Sequence, residues 1–179
     1  RLLAPLRAAA PVYLDLIGEL PASAVGQIHN DPDQPMPVWD RGMFLTSIDQ
    51  DFVSALLPLI GPATEVPLIL AEIRHLGGAC LTEPEGGNAV GGRSSGYAFT
   101  LIGAPVPELF EHALPAVADQ ITEAITPWLH AETNINFAGK IRSAKHFAGS
   151  WSAASLDRLA RARAAFDPGR VFPYAPIGE

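Results

Sequence analysis

The order of secondary-structure patterns, and the short segments between them, limits most strongly what this chain can fold into. Strand patterns lie at 41–48, 67–75, 97–102 and 133–138, and helix patterns lie at 49–60, 107–128 and 156–166. The segment between the second and third strands is loop-like and shows no helix pattern for a parallel crossover. The sequence therefore predicts an α+β fold, an antiparallel sheet with helices packed on one face, in a ferredoxin-like or related two-layer sandwich.

Two of the predicted strands carry polar side chains on one face. Leu68, Leu70, Glu72 and Arg74 share one face of the second strand, and Asn134 and Asn136 share one face of the fourth. If helices cover one side of the sheet, the other side is wet or buried against a partner. We expect the polar side chains of both strands on that second side.

The chemistry available to these side chains leaves two interpretations open. Asn amides both donate and accept, which suits orientation of a polar substrate. Glu72 can act as a general base, and Arg74 can hold a substrate oxygen or favour the ionised form of Glu72. The alternative is a solvated salt bridge between Glu72 and Arg74, with Asn134 and Asn136 as edge or turn amides.

Helix boundaries follow from caps and breakers. Asp49 or Asp51 is expected to cap the helix that Gly61-Pro62 stops, and Pro115 is expected to kink or split the pattern at 107–128. Asp167-Pro168-Gly169 ends the last helix. Near the amino terminus we expect a short helix at 22–29 and a loop at 31–35.

Composition restricts the class of protein. The 179 residues suit one domain, and 48% hydrophobic with 17% charged residues indicates a globular chain. A net charge of −7 without a basic stripe argues against nucleic acid. The single Cys80 fits a reducing compartment, and the sequence contains no membrane-spanning run and no signal peptide, so we expect a cytoplasmic protein. The five histidines lack metal-ligand spacing, and no metal is expected.

The glycine-rich segment at 86–96 allows two interpretations. It could cradle a phosphate, but it lacks the Lys-Ser/Thr ending of a P-loop and the strand-to-helix context around it. A loop between strands is the favoured interpretation.

Several motifs, taken in order, resemble one family. They are EIRHLGGA at 72–79, NAVGGR at 88–93, Tyr97, the Asn-aromatic pair at 136–137, the helix RLARARAAFDP at 158–168 and the closing DPGRVF at 167–172. Together they resemble the C-terminal, substrate-binding region of berberine-bridge-enzyme-like FAD-linked oxidases, which belong to the vanillyl-alcohol-oxidase (PCMH-type) flavoproteins. The resemblance spans nearly the whole chain.

The resemblance implies a function and a division of labour. In that family a small-molecule substrate transfers hydride to flavin, and FAD is held mainly by a domain that precedes this region. The chain starts at Arg1 without Met or a helix cap, so we expect residues 1–179 to be one substrate-binding domain separated from its FAD-binding domain. Alone it is expected to be colourless and inactive.

The resemblance also assigns residues. Asn136 corresponds to a position near the cofactor, and Asn134 occupies the position where many relatives carry a tyrosine base. An amide cannot act as a base, so the base would be Glu72 or Tyr97, or the chemistry differs. Arg93 and Arg74 would lie near the substrate with Asn134, although Gly92 stands where some relatives have His.

A second hypothesis comes from another class of protein. The chain could be a non-catalytic α+β module whose open sheet face binds a partner or forms a homodimer, sheet against sheet. The oligomeric state would help to separate the two hypotheses.

Overall fold

The computed structural model describes residues 2–28, 34–140 and 143–172. The chain divides into two compact units, Arg1–Met36 and Pro37–Glu179, and each is described by itself. His29, at the end of the first predicted helix, and residues 31–33 of the predicted loop lie outside the described residues. Whether 1–179 act as one substrate-binding domain stays a prediction.

The first unit contains the helix α1, Ala4–Ala9, and a 3-10 helix, Ala22–Gln27. None of its described residues is buried. Arg7 Nε donates to Asp15 Oδ2 at 2.5 Å, and this bond is the main cause that lowers the pKa of the Asp15 carboxyl. The predicted short helix is therefore confirmed, as a 3-10 helix, as far as Gln27.

The second unit is built on a three-stranded antiparallel sheet. Its strands are β1, Asp40–Leu45; β2, Leu68–His75; and β3, Tyr97–Gly103, in the order β1-β3-β2. Phe99 at the centre of β3 pairs with Met43 on one side and Ile73 on the other. Three of the predicted strands and the antiparallel α+β class are thereby confirmed.

Two helices cover one face of this sheet. They are α2, Gln50–Ile60, and α3, Ala113–Ala124, and their apolar residues form one buried cluster with Leu45, Phe99 and Leu101. The Phe52 ring lies edge-on to the Phe99 ring at 6.3 Å between centroids. Burial of these side chains supplies the main favourable free energy of the fold.

The predicted cap of α2 is confirmed. Asp49 Oδ1 accepts the Phe52 N–H at 2.8 Å, and Asp49 Oδ2 accepts Trp128 Nε1–H at 3.0 Å. The Phe52 bond is the larger cause that lowers the pKa of the Asp49 carboxyl. The same carboxylate therefore starts α2 and ties it to the segment after α3.

The predicted strand at 133–138 is wrong. Ile135–Phe137 is a 3-10 helix, because Asn134 Oδ1 accepts the Asn136 N–H at 2.9 Å and thereby stabilises a local turn. Gly139, at φ +76°, then continues the chain in a conformation that few other residues adopt. The four-stranded ferredoxin-like version of the fold is consequently not formed by the described residues.

The helix pattern at 107–128 is split rather than kinked. Pro107–Leu109 is a separate 3-10 helix, and α3 begins at Ala113, so Pro115 lies in the first turn, where a missing N–H costs little. A further 3-10 helix, Thr126–Trp128, follows α3. The pattern is thus interrupted between Leu109 and Ala113, so the prediction that Pro115 itself kinks or splits the helix is wrong.

Two helices follow the 135–137 turn. They are α4, Ala144–Ala148, and α5, Ala153–Phe166, and the second confirms the predicted last helix. Asp167 ends α5, and its two carboxylate oxygens accept the N–H groups of Val171 at 2.7 Å and Phe172 at 3.2 Å. In the described part of the chain, no helix is long and apolar enough to cross a membrane.

Candidate functional site

The sheet face that α2 and α3 leave free carries most of the predicted site. Directly paired residues of an antiparallel sheet point to the same side, and Phe99 and Leu101 occupy the helix-covered side. The opposite side is called the outer face below. Its members are Asp40, Gly42, Phe44, Leu70, Glu72, Arg74, Ala98, Thr100 and Ile102.

Two glycines allow other segments to cover the β1 half of the outer face. A Cβ on Gly42 would overlap the Phe137 carbonyl oxygen, so the 135–137 turn contacts the bare backbone of β1. A Cβ on Gly92 would overlap the Phe44 ring. The β1 half is thus covered, whereas Arg74 and Leu70 in the β2 half remain exposed.

A cavity of about 370 Å³ opens on this face between the covering segments, and we call it the Asn134 cavity. Its apolar wall includes Phe44, Leu76, Val90 and Phe137, and its polar side chains include Arg93 and Asn134. Apolar walls with a few convergent polar groups are typical of small-molecule sites, which measure about 300–1,000 Å³. The volume of the cavity thus suits a small molecule.

Arg93 lines the Asn134 cavity but is largely committed to its own chain. Its Nη1 donates to the carbonyl oxygens of Cys80 and Thr82, each at 3.2 Å, and its Nε lies 3.5 Å from Glu83 Oε2. The guanidinium therefore holds the turn at 78–82 in place. Because of these contacts, the main role of Arg93 is structural, as part of the cavity lining.

Asn134 and Asn136 separate at the turn they form. Asn134 lines the cavity, and its Oδ1 is engaged by the Asn136 N–H. Its amide NH2 and the second lone pair of Oδ1 are the groups with which Asn134 can bind a ligand. Asn136 is exposed and is not part of the cavity lining.

Glu72 and Arg74 form an ion pair on the outer face. Glu72 Oε1 accepts from Arg74 Nε at 2.8 Å and from Nη2 at 2.6 Å. The side chains are 36% and 58% exposed, respectively, so solvent screens the pair and its contribution to stability is small. The structure thus contains the solvated salt bridge of the alternative interpretation, and the catalytic role of Glu72 stays a prediction.

Tyr97 lies on the other face of the sheet. It pairs with Leu45 and His75, and its ring centroid is 5.1 Å from that of His75. The structure therefore brings Arg93 together with Asn134, and Glu72 together with Arg74, but separates Tyr97 from both pairs. The catalytic role of Tyr97 also stays a prediction.

The glycine-rich segment is not arranged to bind phosphate. The N–H groups of Asn88 and Gly92 donate to carboxylate oxygens, those of Glu83 at 3.2 Å and Glu132 at 3.0 Å. The Val90 N–H donates to Asn88 Oδ1 at 3.1 Å. Donors that already hold carboxylates are not free for an anion, so the loop interpretation is favoured over a phosphate cradle.

A second cavity, of about 360 Å³, lies at the edge of β1 and contains residues that the sequence did not indicate. His130 Nε2 is 2.8 Å from Ser94 Oγ, and His130 Nδ1 is 3.0 Å from both the nitrogen and the oxygen of the Glu132 backbone. Both ring nitrogens are satisfied in either neutral tautomer. No motif marks this group, because its members come together only through the fold.

Phe44 is the other site residue that the sequence did not single out. It contributes to both cavities. Period-two spacing from Gly42 would have placed it on the outer face. Across residues 2–28, 34–140 and 143–172, no group of three or more His, Cys, Asp or Glu side chains could hold a metal ion.

Comparison with known proteins gives a likeness of fold. No protein-family model and no curated protein sequence matches the chain. The solved structures that match include Physcomitrella patens BBE-like 1, as wild type and as a single-residue variant, each with a TM-score of 0.61 and 11% identity. Each match covers 80% of this chain and 30% of the other, so the chain spans less than a third of that protein's length.

The identity of 11% makes this a statement about architecture alone. The motifs at 72–79 and 158–168 pointed to the same group of proteins, and the resemblance is therefore supported at the level of the fold. Substrate, cofactor and reaction do not follow from it.

Proposed function

We propose that this chain is the substrate-binding part of an FAD-dependent oxidoreductase that transfers hydride from a small molecule to flavin. The observation that carries the proposal is the Asn134 cavity on the outer face of a fold shared with BBE-like 1. The small volume of the cavity suits a substrate and leaves FAD to be held mainly by a separate FAD-binding domain of the same protein.

The residues take distinct roles in this proposal. The Asn134 amide orients the substrate, Arg93 forms a wall of the cavity that holds it, and Arg74 positions the Glu72 carboxylate through its two hydrogen bonds. Asn136, exposed beside the cavity, faces the cofactor. When bound, flavin accepts the hydride from the substrate carbon.

We assign the base to Glu72, with Tyr97 as the alternative. Glu72 lies on the outer face, on which the Asn134 cavity opens, but it does not line that cavity; Tyr97 lies on the helix-covered face. In the proposed step Glu72 accepts the hydroxyl proton as the substrate C–H bond breaks, so an alcohol becomes a carbonyl compound.

The test uses the complete gene product that contains this chain. Flavin absorbance should be present, and substrate should bleach it under anaerobic conditions. Glu72→Gln should slow bleaching by about 10²–10⁴-fold, while Asn134→Ala should raise KM more than it lowers kcat. The control Glu65→Gln, in the loop before β2, should have no effect.

A complete product without flavin would overturn the proposed function. Flavin with an unaffected Glu72→Gln variant would instead move the base to Tyr97, which Tyr97→Phe then tests. Residues 1–179 alone should stay colourless after incubation with FAD, because the proposal assigns most of the FAD contacts to the separate FAD-binding domain. Stoichiometric flavin on this chain would contradict that division of labour.

The alternative function is a non-catalytic module that binds a partner through its sheet. The exposure of apolar residues on β2 favours it, since Ile69 is 61% and Ile73 is 41% exposed. Sizing chromatography gives a first test, because a strict monomer at all concentrations removes the homodimer form of this alternative.

A further inference from the structure

β2 is an edge strand that is exposed on both faces. Ala71, Ile73 and His75 point to the helix-covered side, yet all three are exposed, because α2 and α3 cover β1 and β3 instead. Glu72 and Arg74 on the outer face are also accessible. An irregularity between Leu68 and Leu70 interrupts the start of β2, and the stretch from Leu70 to His75 pairs regularly with β3 and leaves its other edge free.

The pairing of β2 with β3 shows which backbone groups of β2 point away from the sheet. The Leu76 N–H donates to the Gly96 carbonyl oxygen, next to the end of the pairing with β3. Backbone groups alternate in direction along an antiparallel strand, so Arg74 and Glu72 also bond to β3. Ala71, Ile73 and His75 therefore direct their N–H and C=O groups away from the sheet.

The opposite edge of the sheet is already occupied. The His130 N–H donates to the Phe44 carbonyl oxygen at 2.8 Å, and the Thr46 N–H donates to the Trp128 carbonyl oxygen at 2.9 Å. The segment after α3 thus covers β1 at these positions. Only the β2 edge offers a full strand for pairing within the described part of the second unit.

We propose that β2 pairs with β2 of a second copy of this chain, antiparallel, about a two-fold axis at Ile73. Ile73 then faces Ile73 of the second copy, and Ala71 faces His75. By symmetry His75 also faces Ala71 of the second copy, and each of the three pairs exchanges two backbone hydrogen bonds, so the edge gains about six. This inference does not depend on the proposed catalytic function.

The side chains select this register. Between the hydrogen-bonded pairs, Glu72 faces Arg74 of the second copy and Arg74 faces Glu72, in the positions where side chains of facing strands lie closest. On the same face Leu70 is opposite Leu76. The sequence of β2 is therefore complementary to itself in charge and in apolar character.

Neighbouring registers lack this complementarity. An axis at Glu72 would place two like charges opposite each other, and it would require backbone groups that bond to β3. An axis at Ala71 would place Glu72 opposite Leu70, so no opposite charge of the second copy would face Glu72. The axis at Ile73 is the one that satisfies both the backbone and the charges.

A charge swap tests the register. Sedimentation velocity of the full chain over a range of concentrations should show a monomer–dimer equilibrium. Either single variant, Arg74→Glu or Glu72→Arg, would place like charges opposite each other across the axis. Each should raise the dissociation constant of the dimer by about tenfold or more. The double variant Glu72→Arg/Arg74→Glu restores opposite charges and should recover the wild-type dissociation constant.

Two control variants distinguish pairing at this edge from a general effect of charge or from unfolding. Arg161→Glu, exposed on α5, carries the same change in charge and should leave dimerisation unchanged. Ile73→Pro removes an N–H that the sheet of one copy does not use, so the variant should stay folded and become monomeric. Circular dichroism checks the fold of each variant.

Hydrogen exchange identifies the edge directly. In the wild-type dimer the amides of Ala71, Ile73 and His75 should exchange slowly with solvent. In Ile73→Pro, which has no amide at position 73, the amides of Ala71 and His75 should exchange rapidly. A wild-type monomer, or a dimer in which these amides exchange rapidly, would overturn the proposal. Slow exchange in a monomer would show that another segment of polypeptide covers the edge, which also overturns it.

Discussion

At the scale of single residues, the absence of a side chain matters as much as its chemistry. Gly42 lies at the place on β1 where the 135–137 turn crosses the outer face. The 135–137 turn places Asn134 in the lining of the cavity. Gly42, which has no side chain, therefore allows the turn to approach β1 and the cavity to form.

Gly42→Ala should destabilise the fold strongly. The new Cβ would overlap the Phe137 carbonyl oxygen, and backbone on both sides must move to relieve the clash. We expect a loss of about 1–3 kcal/mol or more in the free energy of unfolding, measured by urea titration.

The matched control is Gly77→Ala. Gly77 has φ −160°, and no other atom lies within 4 Å of the position that a Cβ would take. Its replacement should therefore be neutral or slightly stabilising, by up to about 1 kcal/mol. Equal effects of the two changes would show that the turn does not contact β1.

The contribution of Asp49 to the stability of the fold should be lost at acid pH. Its folded-state pKa lies below the ordinary value of 3.8, so its contribution is complete above that value and is lost as pH falls through the lowered pKa. Asp49→Asn keeps an acceptor for the Phe52 N–H but does not titrate. Urea midpoints between about pH 2 and pH 6 should fall less steeply with acid in the variant; equal slopes would contradict this assignment.

At the scale of elements, a local sequence pattern predicted an element correctly where it was compatible with only one type of secondary structure. The period of α2 with its Asp49 cap, and the alternation in β2 and β3, predicted those elements within one or two residues. The alternation at 133–138 had two meanings, because the side chain of Asn134 also satisfies the backbone of a turn. Short period-two patterns that contain Asn are ambiguous for this reason.

Ile121→Ala in α3 should test how much the helix layer contributes. Ile121 is fully buried among residues of the sheet and of α2, so its truncation leaves a cavity and should cost about 2–5 kcal/mol in the free energy of unfolding. Leu57→Ala, at a position of α2 that is 52% exposed, should change it by less than about 0.5 kcal/mol. A small effect at Ile121 would mean that α3 does not pack on the sheet as described.

At the scale of the whole molecule, the buried core belongs to the second unit. Every buried residue of the described chain lies between Trp39 and Ser150. The first unit, by contrast, has no buried residue among those described. Stability and the candidate site are thus properties of residues 37–172.

Removal of residues 1–36 should leave the second unit folded. Its core contains none of those residues, so the free energy of unfolding should stay within about 1 kcal/mol of the value for the full chain. Urea unfolding followed by tryptophan fluorescence measures this, since Trp39, Trp128 and Trp151 all remain. Loss of a cooperative transition would show that the first unit is required.

The sequence by itself determined the class of the fold, because periodicity, caps and breakers act over a few neighbouring residues and need no distant partner. Only the tertiary structure decided which residues meet at the candidate site. Phe44, Gly92 and Asn134 lie far apart in the chain and enclose one cavity, whereas Tyr97, close to Gly92 in sequence, points to the opposite face. Contacts between distant segments depend on how the sheet is covered, and no local pattern records that.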